Sequence, residues 1–262
     1  MLSNSVKQQI RNVINSAGEI ILERAHIDHM VKKEGDFNFA TEVDYHVQEF
    51  LTKELKRIIP GSNIIGEESE TNRYSFDKPA WILDPVDGTS NMIHYYMHAA
   101  VSLALVLEGK LTYGIVYNPY NGEMYEAELN QGAWLNGKKI RVSERDDIAS
   151  SLIAFGTTPY QRDKADTTFA IVKDVFLNCR DIRRSGAAAL DLAYVAAGRL
   201  EGFFEMILQP WDYAAGVLIV HEAGGRVTDW HGNDASLDKP CGILASNGKV
   251  HDYLLNTIQR YL

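Results

Sequence analysis

Two aspartates three residues apart, Asp84 and Asp87, lie in the segment Trp81-Ile-Leu-Asp-Pro-Val-Asp-Gly-Thr-Ser-Asn91. The apolar run Ala80 to Leu83 reads as a buried strand ending at Asp84, and Gly88-Thr89-Ser90 reads as a helix start. Two carboxylates in that position suit Mg²⁺, a hard cation that takes carboxylate, carbonyl and water oxygens in octahedral geometry. Pro85 stiffens the turn between them, so that the Val86 carbonyl points into the same space. Backbone N–H groups of Gly88 and Thr89 at the helix start face an anion, and glycine lets a phosphate approach closely. Taken alone, Asp-Pro-x-Asp-Gly-Thr reads equally well as a turn followed by a helix cap.

Two further acidic segments keep it company: Gly66-Glu67-Glu68-Ser69 upstream, and Gln209-Pro-Trp-Asp212-Tyr-Ala-Ala-Gly216 downstream, where Asp212 opens a mostly apolar helix. In isolation Glu67-Glu68 is a solvated charge pair and Asp212 a helix N-cap. Together and in this order the three segments closely resemble the inositol monophosphatase family, part of a wider superfamily of Mg²⁺-dependent, lithium-sensitive phosphomonoesterases. The resemblance spans nearly the whole chain. Its motifs stand here as Asp84-Pro-Val-Asp-Gly-Thr-Ser-Asn-Met-Ile-His94 and as Trp211-Asp-Tyr-Ala-Ala-Gly216 followed by Glu222-Ala-Gly-Gly225.

The resemblance implies two or three Mg²⁺ ions held by Glu67, Asp84, the Val86 carbonyl, Asp87 and Asp212. It makes Asp44, in Ala40-Thr-Glu-Val-Asp44, the partner of Thr89 in activating the attacking water, with Glu67 contributing to catalysis and Gly88 and Thr89 cradling the phosphate. Glu68 is left between a role around the metals and mere solvation. Lys33 takes the place of the family's lysine before this segment, and Glu34-Gly35-Asp36 departs from the commoner serine-containing pattern. Recognition of the alcohol falls to Gly186-Ala187-Ala188 and to Glu205, seven residues before Asp212, with Thr157-Thr158 in the region of another polar contact. The expected substrate is a small phosphorylated metabolite, inositol monophosphate first. Fructose 1,6-bisphosphate, NADP and 3′-phosphoadenosine 5′-phosphate are alternatives for the same chemistry. A reading of another class remains beside these, because some bacterial members serve as RNA-polymerase-associated or ribosome-maturation factors with dispensable catalysis.

The elements that must position these residues follow from periodicity. Val6, Ile10, Val13, Ile14, Ala17, Ile20 and Ile21 predict an amphipathic helix over residues 3–24. A second helix carries Val47, Phe50, Leu51, Leu55, Ile58 and Ile59, begins near Asp44 and closes at Pro60-Gly61. From Ala99 to Ile140, strand-like runs broken by Glu108-Gly-Lys110, Asn118-Pro119, Asn121-Gly122 and Asn136-Gly137 predict an antiparallel meander. Beyond the charged segment Ser143 to Asp147, strands alternate with helices at 187–197, 213–223 and 248–261. This places an α+β part over 1–145 and an α/β part over 146–262. The resemblance arranges the two as a layered α-β-α-β-α sandwich, usually as a homodimer.

Composition narrows the field further. The 262 residues carry 26 basic against 35 acidic side chains, a net charge of −9. That balance disfavours a general binder of phosphate backbones, so direct nucleic-acid contact is not expected, and an anionic substrate needs a metal to offset repulsion. The longest nearly unbroken apolar run, Ala99 to Leu107, falls short of the ~20 residues of a membrane-spanning helix. The first residues, Met-Leu-Ser-Asn-Ser-Val-Lys, lack a secretory pattern, which predicts a cytoplasmic protein. Cys179 and Cys241 form no Cys-x-x-Cys, so the sequence offers no zinc framework. His94 and His98 have the spacing of zinc ligands on a helix but lack the glutamate of His-Glu-x-x-His, which favours packing or capping. Gly-x-Gly-x-x-Gly, Walker A and Gly-x-Ser-x-Gly patterns are absent, and Asp-x-x-Asp is not the Asp-x-Asp of haloacid-dehalogenase phosphatases.

Overall fold

A computed structural model describes residues 1–24, 31–33, 39–69 and 74–262, with side chains described outside 24–40. The Lys33 side chain and Glu34-Gly35-Asp36 therefore lie outside the described residues. Helix α1 (Asn4–Arg24) turns Ile10, Ile14, Ala17 and Ile21 to one side. A two-stranded antiparallel ribbon, β1 (Val31–Lys33) and β2 (Phe39–Thr41), leads into α2 (Glu42–Ile58), whose inward face is Val43, Val47, Leu51 and Leu55. These apolar stripes remove one another from water against one face of a seven-stranded sheet, at Trp81, Leu83, Val101, Leu103 and Leu105.

That sheet runs in sequence order: β3 (Asn63–Gly66), β4 (Ala80–Asp87), β5 (Ala100–Leu107), β6 (Lys110–Asn118), β7 (Glu123–Glu128), β8 (Gly132–Leu135) and β9 (Lys138–Ile140). Only β3 and β4 are parallel, so β5 to β9 form the predicted meander. Asn136 and Gly137, at φ +49° and +76°, make the tight turn between β8 and β9, both in the left-handed region that a two-residue hairpin requires. Bidentate hydrogen bonds from Arg11 to the buried Glu126, at 2.7 Å each, and a 2.8 Å Lys7–Glu128 pair pin α1 to β7.

The short helix α3 (Thr89–Ile93) follows β4. The rest of the chain builds a five-stranded sheet in the order β11-β10-β12-β14-β13 from β10 (Leu152–Phe155), β11 (Asp181–Arg183), β12 (Gly202–Leu208), β13 (Arg226–Thr228) and β14 (Cys241–Ser246). Its outer face, Ile153, Phe155, Phe204 and Leu244, is covered by α4 (Ala165–Asn178) and α7 (His251–Gln259). Between the sheets lie α5 (Ala188–Ala196) and α6 (Pro210–Glu222), apolar all round because they are buried on both sides. The layers therefore alternate α-β-α-β-α. The sheets part in sequence between Ile140 and Leu152, yet one core runs from Ala100 and Ala104 through α5 and α6 to Phe203 and Ala245.

Three boundaries differ from the periodicity. Strand β4 continues past Asp84 to Asp87, and α6 begins at Pro210 rather than Tyr213, because proline is preorganised for the first helical position. Helix α7 is shorter at both ends than 248–261. Backbones pass closely around α6: a Cβ on Gly216 would lie 2.6 Å from Leu192 Cβ on α5, and one on Gly114 of β6 would lie 3.0 Å from the Ala215 carbonyl. Gly216→Val should therefore destabilise the protein by about 1–3 kcal/mol through overpacking, as a lower midpoint in urea unfolding. An unchanged midpoint would show that α5 and α6 are less closely seated than this geometry requires.

Candidate active site

The β4–β5 register explains how two aspartates three apart come to share a face. Asp84 pairs with Ser102 and Asp87 with Ala100, so β4 spends three steps against two of its partner, a one-residue bulge at Pro85-Val86. Ser102 and Ala100 point the same way, and so do the aspartates opposite them. In a regular strand, residues i and i+3 would face opposite sides. The Asp84 carboxylate accepts the Val86 N–H at 2.9 Å, which secures the bulge.

Parallel pairing of Gly66 with Leu83 sets Glu67 beside Asp84, and the Glu67 N–H donates to the Leu83 carbonyl at 3.2 Å. The two carboxyls are within hydrogen-bonding reach of each other. Gln48 of α2 braces this corner by accepting the Glu68 N–H at 3.0 Å. Asp44 is the third residue of α2 and accepts from the Thr41 backbone at 2.8 Å and from the Thr41 hydroxyl at 2.5 Å, both on Oδ2. Its Oδ1 accepts from the Thr89 hydroxyl at 2.8 Å, with the Val86 carbonyl as a second acceptor for that hydroxyl at 3.0 Å. Asp212 repeats the device as the third residue of α6, where Oδ2 accepts the Gln209 N–H at 2.7 Å. Ser102 Oγ donates to the Trp211 carbonyl at 3.2 Å and ties the start of α6 to β5. Capping each helix uses one oxygen of a carboxylate and leaves the other for the cleft.

Asp87 is fixed differently. The N–H groups of Ala188 and Ala189, at the start of α5, donate to its two oxygens at 3.2 and 2.8 Å. The Ala188 N–H is thus already taken up. Gly88, at φ +93°, packs against the Gly186 carbonyl and Ala187, where a Cβ would come within 3.3 Å of both. Asn91 holds the same junction by donating to the His98 and Ser185 carbonyls at 2.7 and 3.0 Å.

One cleft of about 130 Å³ is lined by Glu67, Asp84, Asp87, Thr89 and Asp212 at one end and by Gly186, Ala187, Ala188 and Glu205 at the other. Glu68 faces a neighbouring groove. Glu205 accepts the Thr158 N–H at 2.8 Å, and Thr157 accepts from Arg184 Nη2 at 3.2 Å. Six lining residues escaped the sequence reading: Gly156, Pro159, Tyr160, Arg184, Asp191 and Leu208. Asp191 alone carried a signal, as the one charge in the apolar stretch 187–197, and it is buried while accepting from Ser185 Oγ at 2.6 Å. Among the described residues Arg184 is the only cation lining the cleft.

The electrostatics are those of a site short of positive charge. Burial, then the charges of Glu67, Asp87 and Asp212, hold Asp84 well above the usual carboxylate range. Burial and the charges of Asp212, Glu68 and Asp44 do the same to Glu67, and burial with Asp87 raises Asp212. Burial pushes Asp87 up to about 7 against the opposing pull of the Ala189 and Ala188 N–H groups. Burial raises Asp44 too, with the hydrogen bonds from Thr41 and Thr89 opposing. A bound divalent cation would favour all of these ionised forms. The donors are all oxygens, which fits Mg²⁺ rather than a soft metal. Among the described residues no three acidic, histidine or cysteine side chains close around one point.

The model of the inositol monophosphatase family matches residues 2–262, and the chain belongs to that family, whose members are generally Mg²⁺-dependent phosphatases. It is 39% identical over 253 residues to the Nus factor SuhB of Xylella fastidiosa, covering 93% of this chain and 90% of that protein. The crystal structure of extragenic suppressor protein suhB from Bartonella henselae matches with 34% identity and a TM-score of 0.92, over 99% of this chain and 100% of that one. The Thermotoga maritima IMPase matches with 32% identity and a TM-score of 0.87, over 98% and 96% of the two chains. Phosphatase chemistry is thus the family's, while several relatives bear the name Nus factor.

Mutual repulsion among the carboxylates makes a specific stability prediction. Without metal, Asp84→Asn removes one like charge and gives Glu67 an amide donor, so its melting temperature in EDTA should equal or exceed that of the wild type. A loss of several degrees would mean that the Asp84 charge supports the fold.

Proposed function

We propose that the chain hydrolyses a phosphate monoester by attack of an activated water, with inositol monophosphate as the first candidate substrate. The observation that carries this reading is the convergence of Glu67, Asp84, Asp87 and Asp212 on one cleft beside the Asp44–Thr89 hydrogen bond. Glu67, Asp84, the Val86 carbonyl, Asp87 and Asp212 are the ligands for two or three Mg²⁺ ions. When bound, Mg²⁺ neutralises the phosphate, acidifies a water and stabilises the leaving alkoxide.

The chain's own groups then have distinct tasks. Thr89 Oγ donates to Asp44 Oδ1, which leaves its lone pair to accept a proton from the attacking water as its own passes to Asp44. Burial raises the basicity of Asp44 and so favours that transfer. Gly88 and Thr89 present backbone N–H groups to the phosphate. Gly186, Ala187 and Ala188 shape the wall beside it without polar side chains, and Glu205 supplies the acceptor for hydroxyls. Arg184 partly offsets the negative field near Glu205.

A second reading is favoured by the Nus factor name of the relatives: a partner-dependent role in which catalysis is dispensable. The net charge of −9 weighs little against nucleic-acid contact at one face, because Arg145, Arg180, Arg183 and Arg199 line a single groove. Three of the four are paired with Glu201, Asp181 and Glu123.

The test is phosphate release with and without Mg²⁺ across inositol 1-phosphate, fructose 1,6-bisphosphate, NADP and 3′-phosphoadenosine 5′-phosphate. Thr89→Ala should lower kcat by roughly 100- to 10,000-fold, and Asp84→Asn should lower it by orders of magnitude. Near-full activity in Asp84→Asn would overturn the ligand assignment. No turnover of any substrate by the wild type would move the conclusion to the partner-dependent reading.

A further inference from the structure

The cleft is much smaller than the ~300–1,000 Å³ of sites that engulf a drug-sized ligand. Its 130 Å³ houses a phosphate and its immediate surroundings, so the alcohol must project toward the mouth. Tyr160 stands there, 60% exposed yet lining the cleft. Its phenol is close enough to Glu67, Asp212, Asp84 and Asp87 for their charges to add to burial in raising its pKa, so it stays a neutral hydrogen-bond donor.

The loop that carries this ring is held in an unfavourable conformation. Thr158 has φ +43°, in the left-handed region that a β-branched residue rarely adopts. Such strain persists only where the surroundings over-determine it. Here the Thr158 N–H donates to Glu205 Oε1 at 2.8 Å, and Thr158 Oγ1 accepts the Ile207 N–H at 3.3 Å. The Gly156 N–H donates to the Phe204 carbonyl at 2.9 Å, and Arg184 holds Thr157. The other Glu205 oxygen lies over Gly156, where a Cβ would come within 1.9 Å of it. Three of these braces come from β12 itself, and together they fix where Tyr160 points.

We propose that Tyr160 is a specificity-determining residue whose ring forms the wall against which a cyclic, polyhydroxylated leaving group packs. The inference rests on the phosphomonoesterase reading and adds to it a residue that favours phosphates of ring polyols over those of open-chain alcohols. An aromatic face buries the apolar C–H side of such a ring, while its hydroxyls stay free for the polar side of the cleft.

The experiment compares kcat/KM for inositol 1-phosphate and glycerol 2-phosphate in the full-length protein with Mg²⁺. Tyr160→Ala should lower the ratio of the two about tenfold, through KM for the cyclic substrate, and Tyr160→Phe should restore most of it. Circular dichroism and melting of each variant separate a folding defect from the ratio. An unchanged ratio in Tyr160→Ala overturns the specificity role. Absence of turnover of either substrate by the wild type overturns the phosphomonoesterase reading itself, a result distinct from turnover with an unaltered ratio.

Discussion

Like charges held together out of water repel, and Glu67, Asp84, Asp87 and Asp212 are held together by β4, the end of β3 and the start of α6. Three of these carboxylates are anchored by backbone donors rather than left to find their own positions. The Val86 N–H holds Asp84, the first N–H groups of α5 hold Asp87, and the Gln209 N–H holds Asp212. Oriented N–H dipoles offset part of the repulsion without neutralising the charges, and the residual negative field favours a cation. The fold around the cleft is the apparatus that keeps this unfavourable arrangement in place.

Cap chemistry and site chemistry coincide in this molecule. Asp44 and Asp212 each occupy the third position of a helix and satisfy an N–H at its start, the ordinary structural explanation for an acid in that place. Because a carboxylate has two oxygens, the structural role leaves the functional one intact. The burial of α5 and α6 between two sheets serves the same end. Helices packed on both faces cannot tilt independently, so Asp212 and the start of α5 are fixed relative to β4.

The family membership fits the arrangement of the cleft, and the Nus factor name of several relatives does not contradict it. One fold can host unrelated functions at different sites.

By itself the sequence determined what local rules encode. The amphipathic periods of α1 and α2, the turns of the β5–β9 meander, and the acids near the starts of α2 and α6 depend only on neighbours a few residues away. The grouping of Glu67, Asp84, Asp87 and Asp212 was legible only because three short segments resemble a family. Tertiary structure decided the rest. The three-residue spacing of Asp84 and Asp87 predicts opposite faces on a regular strand, and only pairing with β5 reveals the bulge that reverses this. Tyr160, Arg184 and Gly156 carry no local pattern, because their meaning lies in β12, which delivers Glu205 to the Thr158 backbone 47 residues away in sequence. Asp191 was visible as a lone charge among apolar residues, yet its partner Ser185 and its place beneath the cleft follow from how α5 lies between the sheets. Sequence spacing fixes which residues share a turn of helix or one side of a strand. Which turns and sides face one another is fixed by the burial of apolar surface, a property of the whole chain.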